Sequence, residues 1–118
     1  MKRIYLILIL SIGLLTLACK KDEPTPVTPE CSAQISYASD IATLISTSCA
    51  TSGCHNAASS SAGFVFENHS QVSNNASIIL SVIRHESGFQ AMPQGASKWS
   101  DEQINNFACW VEQGKLNN

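Results

Sequence analysis

The chain is sparing with charge. Only 14% of its 118 residues are Asp, Glu, Lys or Arg. It has no basic stripe, which sets aside nucleic acid as a partner. It also has no ring of lysines through which a charged partner would dock, so steering by the whole-protein field is expected to be modest. Methionine is scarcer still, with Met1 and Met92 the two in the sequence, and histidine is confined to His55, His69 and His85. There is no internal repeat and no alternation of strand and helix patterns. The apolar run of residues 4–18 is too short to cross a bilayer comfortably.

That run does suit the apolar region of a secretory signal peptide, because Lys2 and Arg3 precede it and Thr16-Leu17-Ala18-Cys19 closes it. The closing tetrad resembles the lipobox of bacterial lipoproteins, with Thr16 where Leu is commoner. The resemblance implies that residues 1–18 are removed and that Cys19 carries the lipid, holding the protein to the cell envelope without a spanning helix. Lys20-Lys21-Asp22-Glu23 resembles a surface-export signal and reads equally as a solvated charge cluster. Past residue 18, five Lys and Arg face nine Asp and Glu, a formal charge of −4. Pro24, Pro26 and Pro29 mark residues 19–30 as a semi-rigid tether. At about 3 Å per residue it would lift a domain on the order of 30 Å from the membrane. One domain is expected over residues 31–118.

Within that domain the apolar periodicity is helical. Tyr37, Ile41, Leu44 and Ile45 share a face and predict a helix over 37–47, capped by Ser36 or Ser39. Ile78, Ile79, Val82 and Ile83 predict a second over 76–86, capped by Asn75 or Ser73 and ended by Gly88. Ser100 with Gln103 reads as a capping box, and Asp101 and Glu102 favour the dipole of a last helix. Its stripe is Ile104, Phe107, Ala108 and Val111, and Gly114 can stop it. Gly63-Phe64-Val65-Phe66 reads as extended. The expectation is a small all-α fold with long loops. A core this thin calls for a staple or a cofactor.

The five cysteines can each be given a task. Cys19 takes the lipid, and Cys49-Ala50-Thr51-Ser52-Gly53-Cys54-His55 forms a cluster. Cys31 and Cys109 remain, and an exported protein meets an oxidising compartment. Cys109 lies about 140° from Ile104 on a helical wheel, off the apolar stripe, where it can reach the segment before the first helix. A Cys31–Cys109 disulfide is therefore expected. Two free thiols, or a Cys49–Cys54 disulfide, are the alternatives that sequence leaves open.

Two thiols followed at once by a His are what covalent attachment of a c-type haem requires. The thiols reach the two vinyl groups, and the adjacent imidazole reaches the iron. The usual spacer is two residues and here it is four. Zinc accepts such a Cys pair, but adjacent Cys54 and His55 fit one tetrahedral ion awkwardly and no second ligand pair follows. A thiol redox pair normally has two intervening residues beside a βαβ unit. A Cys–His nucleophile would have no use for Cys49. On the haem reading the iron needs a sixth ligand. Met92, restrained by Pro93, is the first candidate, followed by His85 and then His69.

The order Tyr37…Asp40-Ile41, Cys49…Cys54-His55-Asn56, Met92-Pro93-Gln94-Gly95, Trp110-Val111-Glu112-Gln113-Gly114 and Asn117-Asn118 resembles the class I cytochrome c-like domains of bacterial lipoproteins. The resemblance implies a cytochrome c fold in which the first and last helices cross. It implies one covalent haem c, with His55 as proximal and Met92 as distal ligand. A monohaem electron carrier that serves a redox partner protein, rather than an enzyme, is the expected function. A haem-based peroxidase or gas sensor, and a disulfide-stapled module without haem, are the other two readings.

Overall fold

A computed structural model describes residues 28–118. The expected signal peptide, the lipid site Cys19 and most of the tether lie outside the described residues. Those described are helical, with no strand among them. A π-helical turn, Tyr37–Ile41, runs straight into α1, Ala42–Ser48. Then come a 3-10 turn at Ser61–Gly63, α2 at His69–Asn74, α3 at Ala76–Arg84 and α4 at Asp101–Glu112.

The first helix starts where its orphan amides find acceptors. Ser36 Oγ accepts from the Ser39 amide at 3.3 Å, and Asp40 returns the favour by accepting from the Ser36 amide at 2.8 Å. Asn118 completes the cap: its side-chain oxygen accepts from the Tyr37 amide and its backbone oxygen from the Ala38 amide, both at 2.9 Å. With four N–H groups to satisfy at a helix start, the segment after α4 is thereby tied to the beginning of the domain. Gln113 adds two bonds of the same kind, accepting from the Ile35 amide at 2.8 Å and donating to the Ala33 carbonyl at 2.7 Å.

The last helix opens as expected, with Ser100 and Gln103 in a reciprocal capping box. Its inner face buries Ile104, Phe107, Ala108, Cys109 and Trp110. Trp110 and Phe107 are fully buried, with ring centroids 5.5 Å apart, and Trp110 lies 5.6 Å from Tyr37. The Trp110 indole donates to the Leu116 carbonyl at 2.9 Å, so its one polar atom is satisfied. Ile41, Ile45, Val72, Ile79 and Ile83 close the core around this pair.

Two local expectations are corrected. Helix α3 ends at Arg84, not near Gly88, because His85 takes the left-handed conformation (φ 60°) that terminates it. A further helix, α2, was not expected. It is announced by Asn68 and Gln71, which form a second reciprocal capping box.

Cys31 and Cys109 form a disulfide, with Cα atoms 5.4 Å apart. The wheel argument is refined, because Cys109 is buried and it is Cys31 that is exposed. The bridge closes a separation of 78 residues. Removing a bridge of that span, by reduction or by pairing Cys31→Ala with Cys109→Ala, should lower unfolding stability by about 2–5 kcal/mol. Urea denaturation followed by tryptophan fluorescence would measure it.

Candidate functional site

The Cys49–His55 segment begins where α1 gives out. The Cys49 amide still donates to the Ile45 carbonyl at 2.8 Å, and the Ala50 amide shares that acceptor at 2.9 Å. The chain then turns back on itself. The Cys54 amide donates to Thr51 at 3.0 Å, with Gly53 at φ 81° in the third position of the turn, a conformation that glycine adopts without steric cost. The His55 amide donates to the Cys49 carbonyl at 3.0 Å. The extra spacer residues are taken up in this turn, and the two ends of the motif meet.

Residues 61–66 line up beside it. The Ser61 amide donates to the Cys54 carbonyl at 3.0 Å, and the Phe66 amide to the His55 carbonyl at 2.9 Å. The His55 ring packs against Phe66 (centroids 4.9 Å) and edge-on to Phe64 (6.2 Å). His55 Nδ1 lies 3.4 Å from the Phe64 carbonyl oxygen. A carbonyl only accepts, so the contact calls for a proton on Nδ1, and the neutral tautomer that meets it leaves the Nε2 lone pair to bind a metal. A backbone carbonyl on one ring nitrogen orients an imidazole whose other nitrogen can bind a metal.

Met92 arrives from the loop after α3. Its amide donates to the Val82 carbonyl at 3.0 Å, which fastens the loop to that helix. Cys49, Cys54, His55 and Met92, from two segments remote in sequence, all line one cavity of about 610 Å³. That volume lies in the ordinary range for cofactor pockets, about 300–1,000 Å³. Phe64, Phe66, Ile79, Val82 and Ile83 supply apolar wall, and no Asp, Glu, Lys or Arg is among the lining residues. Ile78 and Phe89 also line it, at 37% and 47% exposure. They leave apolar surface in the open that no side chain covers.

The other two histidines are placed elsewhere. His69 opens α2, stands edge-on to Tyr37 (4.8 Å) and Trp110 (5.8 Å), and donates from Nε2 to the Lys115 carbonyl at 2.8 Å. His85 donates from Nε2 to the Met92 carbonyl at 3.0 Å. Neither is among the cavity-lining residues.

Cys49 and Cys54 are free thiols, Cys49 buried and Cys54 half-buried. Burial pushes the Cys49 thiol up from 9.0 to about 11, with a smaller upward push from Cys54 outweighing little of the lowering by a hydrogen bond to Ser48. A thiol held neutral is a poor nucleophile for disulfide exchange. Among the described residues no three His, Cys, Asp or Glu side chains converge on a point where they could cage a metal ion, as a structural zinc site requires. A haem iron, by contrast, asks the chain for two axial ligands. The apolar slot, the two unpaired thiols at it, the His55 lone pair and the Met92 thioether are a donor set that fits a haem attached by thioethers.

Sequence reading named the four donors but not the walls. The periodicity predicts a buried face of Ile78, Ile79, Val82 and Ile83; Ile79, Ile83 and half-buried Val82 pack in the core, Ile78 is exposed, and all four line the cavity. The chain matches no family model, no curated protein and no solved structure.

The Cys49 thiol gives a pH test in protein free of haem. The folded thiol keeps its proton to about pH 11 and the unfolded one releases it near 9.0. Across that window the folded state binds more protons, so stability should fall as pH rises through it, by on the order of 2–3 kcal/mol. Urea titrations between pH 8 and 11 should show the slope. Cys49→Ser should remove most of it, the remainder belonging to Tyr37, whose hydroxyl burial also raises.

Proposed function

We propose that the protein is a monohaem c-type cytochrome that carries single electrons at a membrane surface. The observation that carries the reading is the convergence of Cys49, Cys54, His55 and Met92 on one uncharged, largely apolar cavity. On this reading Cys49 and Cys54 would hold the haem covalently, and His55 Nε2 and the Met92 sulfur would bind its iron. The sequence resemblance to class I cytochrome c-like domains and the meeting of the first and last helices support the same view of the fold.

The haem supplies a one-electron couple, and His–Met ligation favours a comparatively high potential. The chain's own residues do the rest. The Phe64 carbonyl fixes the tautomer and tilt of His55. Phe64, Phe66, Ile79 and Ile83 give the cavity an apolar wall that would shield one side of a bound haem from water. Low dielectric and the absence of charged lining residues disfavour the more highly charged oxidised state, which acts in the same direction as the thioether ligand. Exposed Ile78 and Phe89 leave the rim open to a redox partner protein. The Cys31–Cys109 disulfide supports export to an oxidising compartment. With the lipobox at Cys19, it supports a lipid-anchored place in the bacterial cell envelope.

Expression together with haem-maturation machinery should give a red protein that retains haem after denaturation, and the pair Cys49→Ala and Cys54→Ala should lose that retention. A colourless wild-type product would overturn the reading. Met92→Ala should abolish the thioether-to-iron charge-transfer band while haem stays attached, and should lower the potential measured by redox titration. A distal site that is open in the wild type would instead favour the peroxidase or sensor.

A further inference from the structure

His85 sits just beyond the last turn of α3, exposed, outside the cavity lining and pointed at the main chain of the Met92 loop. Its left-handed backbone is what turns the chain out of the helix and back along it. The Met92 amide donates to the Val82 carbonyl of α3, and the Met92 carbonyl accepts from His85 Nε2, both at 3.0 Å. Both polar groups of one peptide residue are thus held by one helix end. The Met92 side chain, between them, has no hydrogen bond to hold it, and its direction is set by the backbone it leaves.

We infer that His85 is a positioning residue, a clamp that fixes the Met92 backbone so that the thioether is presented to the cavity. This rests on the proposed haem reading and deepens it. His85, one of the candidate ligands in sequence terms, acts here through Met92 and not on the iron. The bond asks only that Nε2 carry a proton, which the neutral Nε2–H tautomer provides. His85 Nδ1 takes no part in it. Of the donors in this part of the chain, the Met92 carbonyl receives the His85 ring and no other side chain. The neighbouring Arg84 instead pairs with Glu86 at 3.5 Å.

Two variants separate the clamp from a general structural role. Alanine at His85 deletes the donor but suits the left-handed backbone (φ 60°) less well than histidine does, so the control is a residue with the same backbone handicap and a donor. Glutamine places an amide N–H at similar reach. In protein free of haem, exchange of the Met92 amide, bonded to the Val82 carbonyl, should quicken in His85→Ala by several-fold, up to about tenfold, the range one uncharged hydrogen bond spans. His85→Gln should bring the rate back to within about threefold of wild type, and the amides of α4 should not change. In haem-loaded protein, His85→Ala should weaken the thioether-to-iron band and raise the affinity for added imidazole by a similar factor, with His85→Gln again restoring both.

Unchanged exchange of the Met92 amide in His85→Ala would overturn the inference, as would acceleration spread equally over α4, which marks a loss of global stability. A wild-type protein that takes up no haem sinks the proposed function, while the Met92 exchange still decides whether His85 holds Met92. Haem uptake with a normal band in wild type and an identical band and imidazole affinity in His85→Ala leaves the cytochrome reading standing and removes the clamp.

Discussion

Trp110 and Phe107 meet Tyr37 and Ile41 where α4 packs on the π-helical turn, and the remaining features hang on that contact. Four large side chains are buried there, and Ile45, Phe66, Val72, Ile79, Ile83, Trp99 and Ile104 complete the buried set. Burying an aromatic or large aliphatic side chain is worth about 1.5–3 kcal/mol, so this junction holds a large share of what a core of this size can supply. Everything else that joins the two ends of the domain gathers on it. The disulfide leaves α4 from Cys109, next to Trp110. Asn118 and Gln113 bond to residues 33–38, and His69 stands edge-on to both Tyr37 and Trp110.

Closing the domain at that end leaves it unfilled at the other. Helix α3 turns Ile79 and Ile83 into the core, and together with Val82 and exposed Ile78 they line the cavity, with the Cys49–His55 turn and the Met92 loop. The cavity of about 610 Å³ is partly open to solvent and flanked by exposed Ile78 and Phe89. On the proposed haem reading, a large apolar cofactor would cover this surface and complete that side of the core. On that reading the fold and the proposed function rest on the same shortfall of side chains.

Much of this was legible in the sequence, and the physical reasons differ from case to case. The helix starting at Asp101 was legible because capping is local: Ser100 and Gln103 are three residues apart and satisfy each other's backbone groups whatever lies around them. The Cys31–Cys109 pairing was legible from chemistry and compartment, while the burial of Cys109 was not, since it depends on how the pre-helical segment drapes over α4. The stop of α3 was misjudged because Gly88 is the usual signal for a left-handed residue, and His85 adopts that conformation under tertiary restraint. Helix α2 was missed although Asn68 and Gln71 carry the same signature as Ser100 and Gln103, because only Val72 in it is fully buried and no periodic stripe draws attention to it. At the site, residue types disclosed the donors, but only the fold discloses that Ile78 and Val82 are wall.

The two axial candidates are held by different means, and the difference bears on how such a site is tuned. His55 is a stiff ring with one nitrogen at the Phe64 carbonyl, packed against Phe66 and edge-on to Phe64. Its orientation is fixed by contacts to the side chain itself. Met92 has a flexible unbranched side chain, and methionine adapts to irregular space. Packing alone specifies such a side chain poorly, so control has to be exerted on its backbone, and both Met92 backbone groups are held by α3 and its cap. On the proposed haem reading, loosening the first arrangement would disturb the bond from His55 through burial and aromatic packing. Loosening the second would leave the fold intact and change only how often the sulfur faces the cavity. On that reading, substitutions around His85 are the place to adjust ligation by Met92 without unfolding the domain, whereas substitutions around Phe64 and Phe66 act on the core and the ligand together.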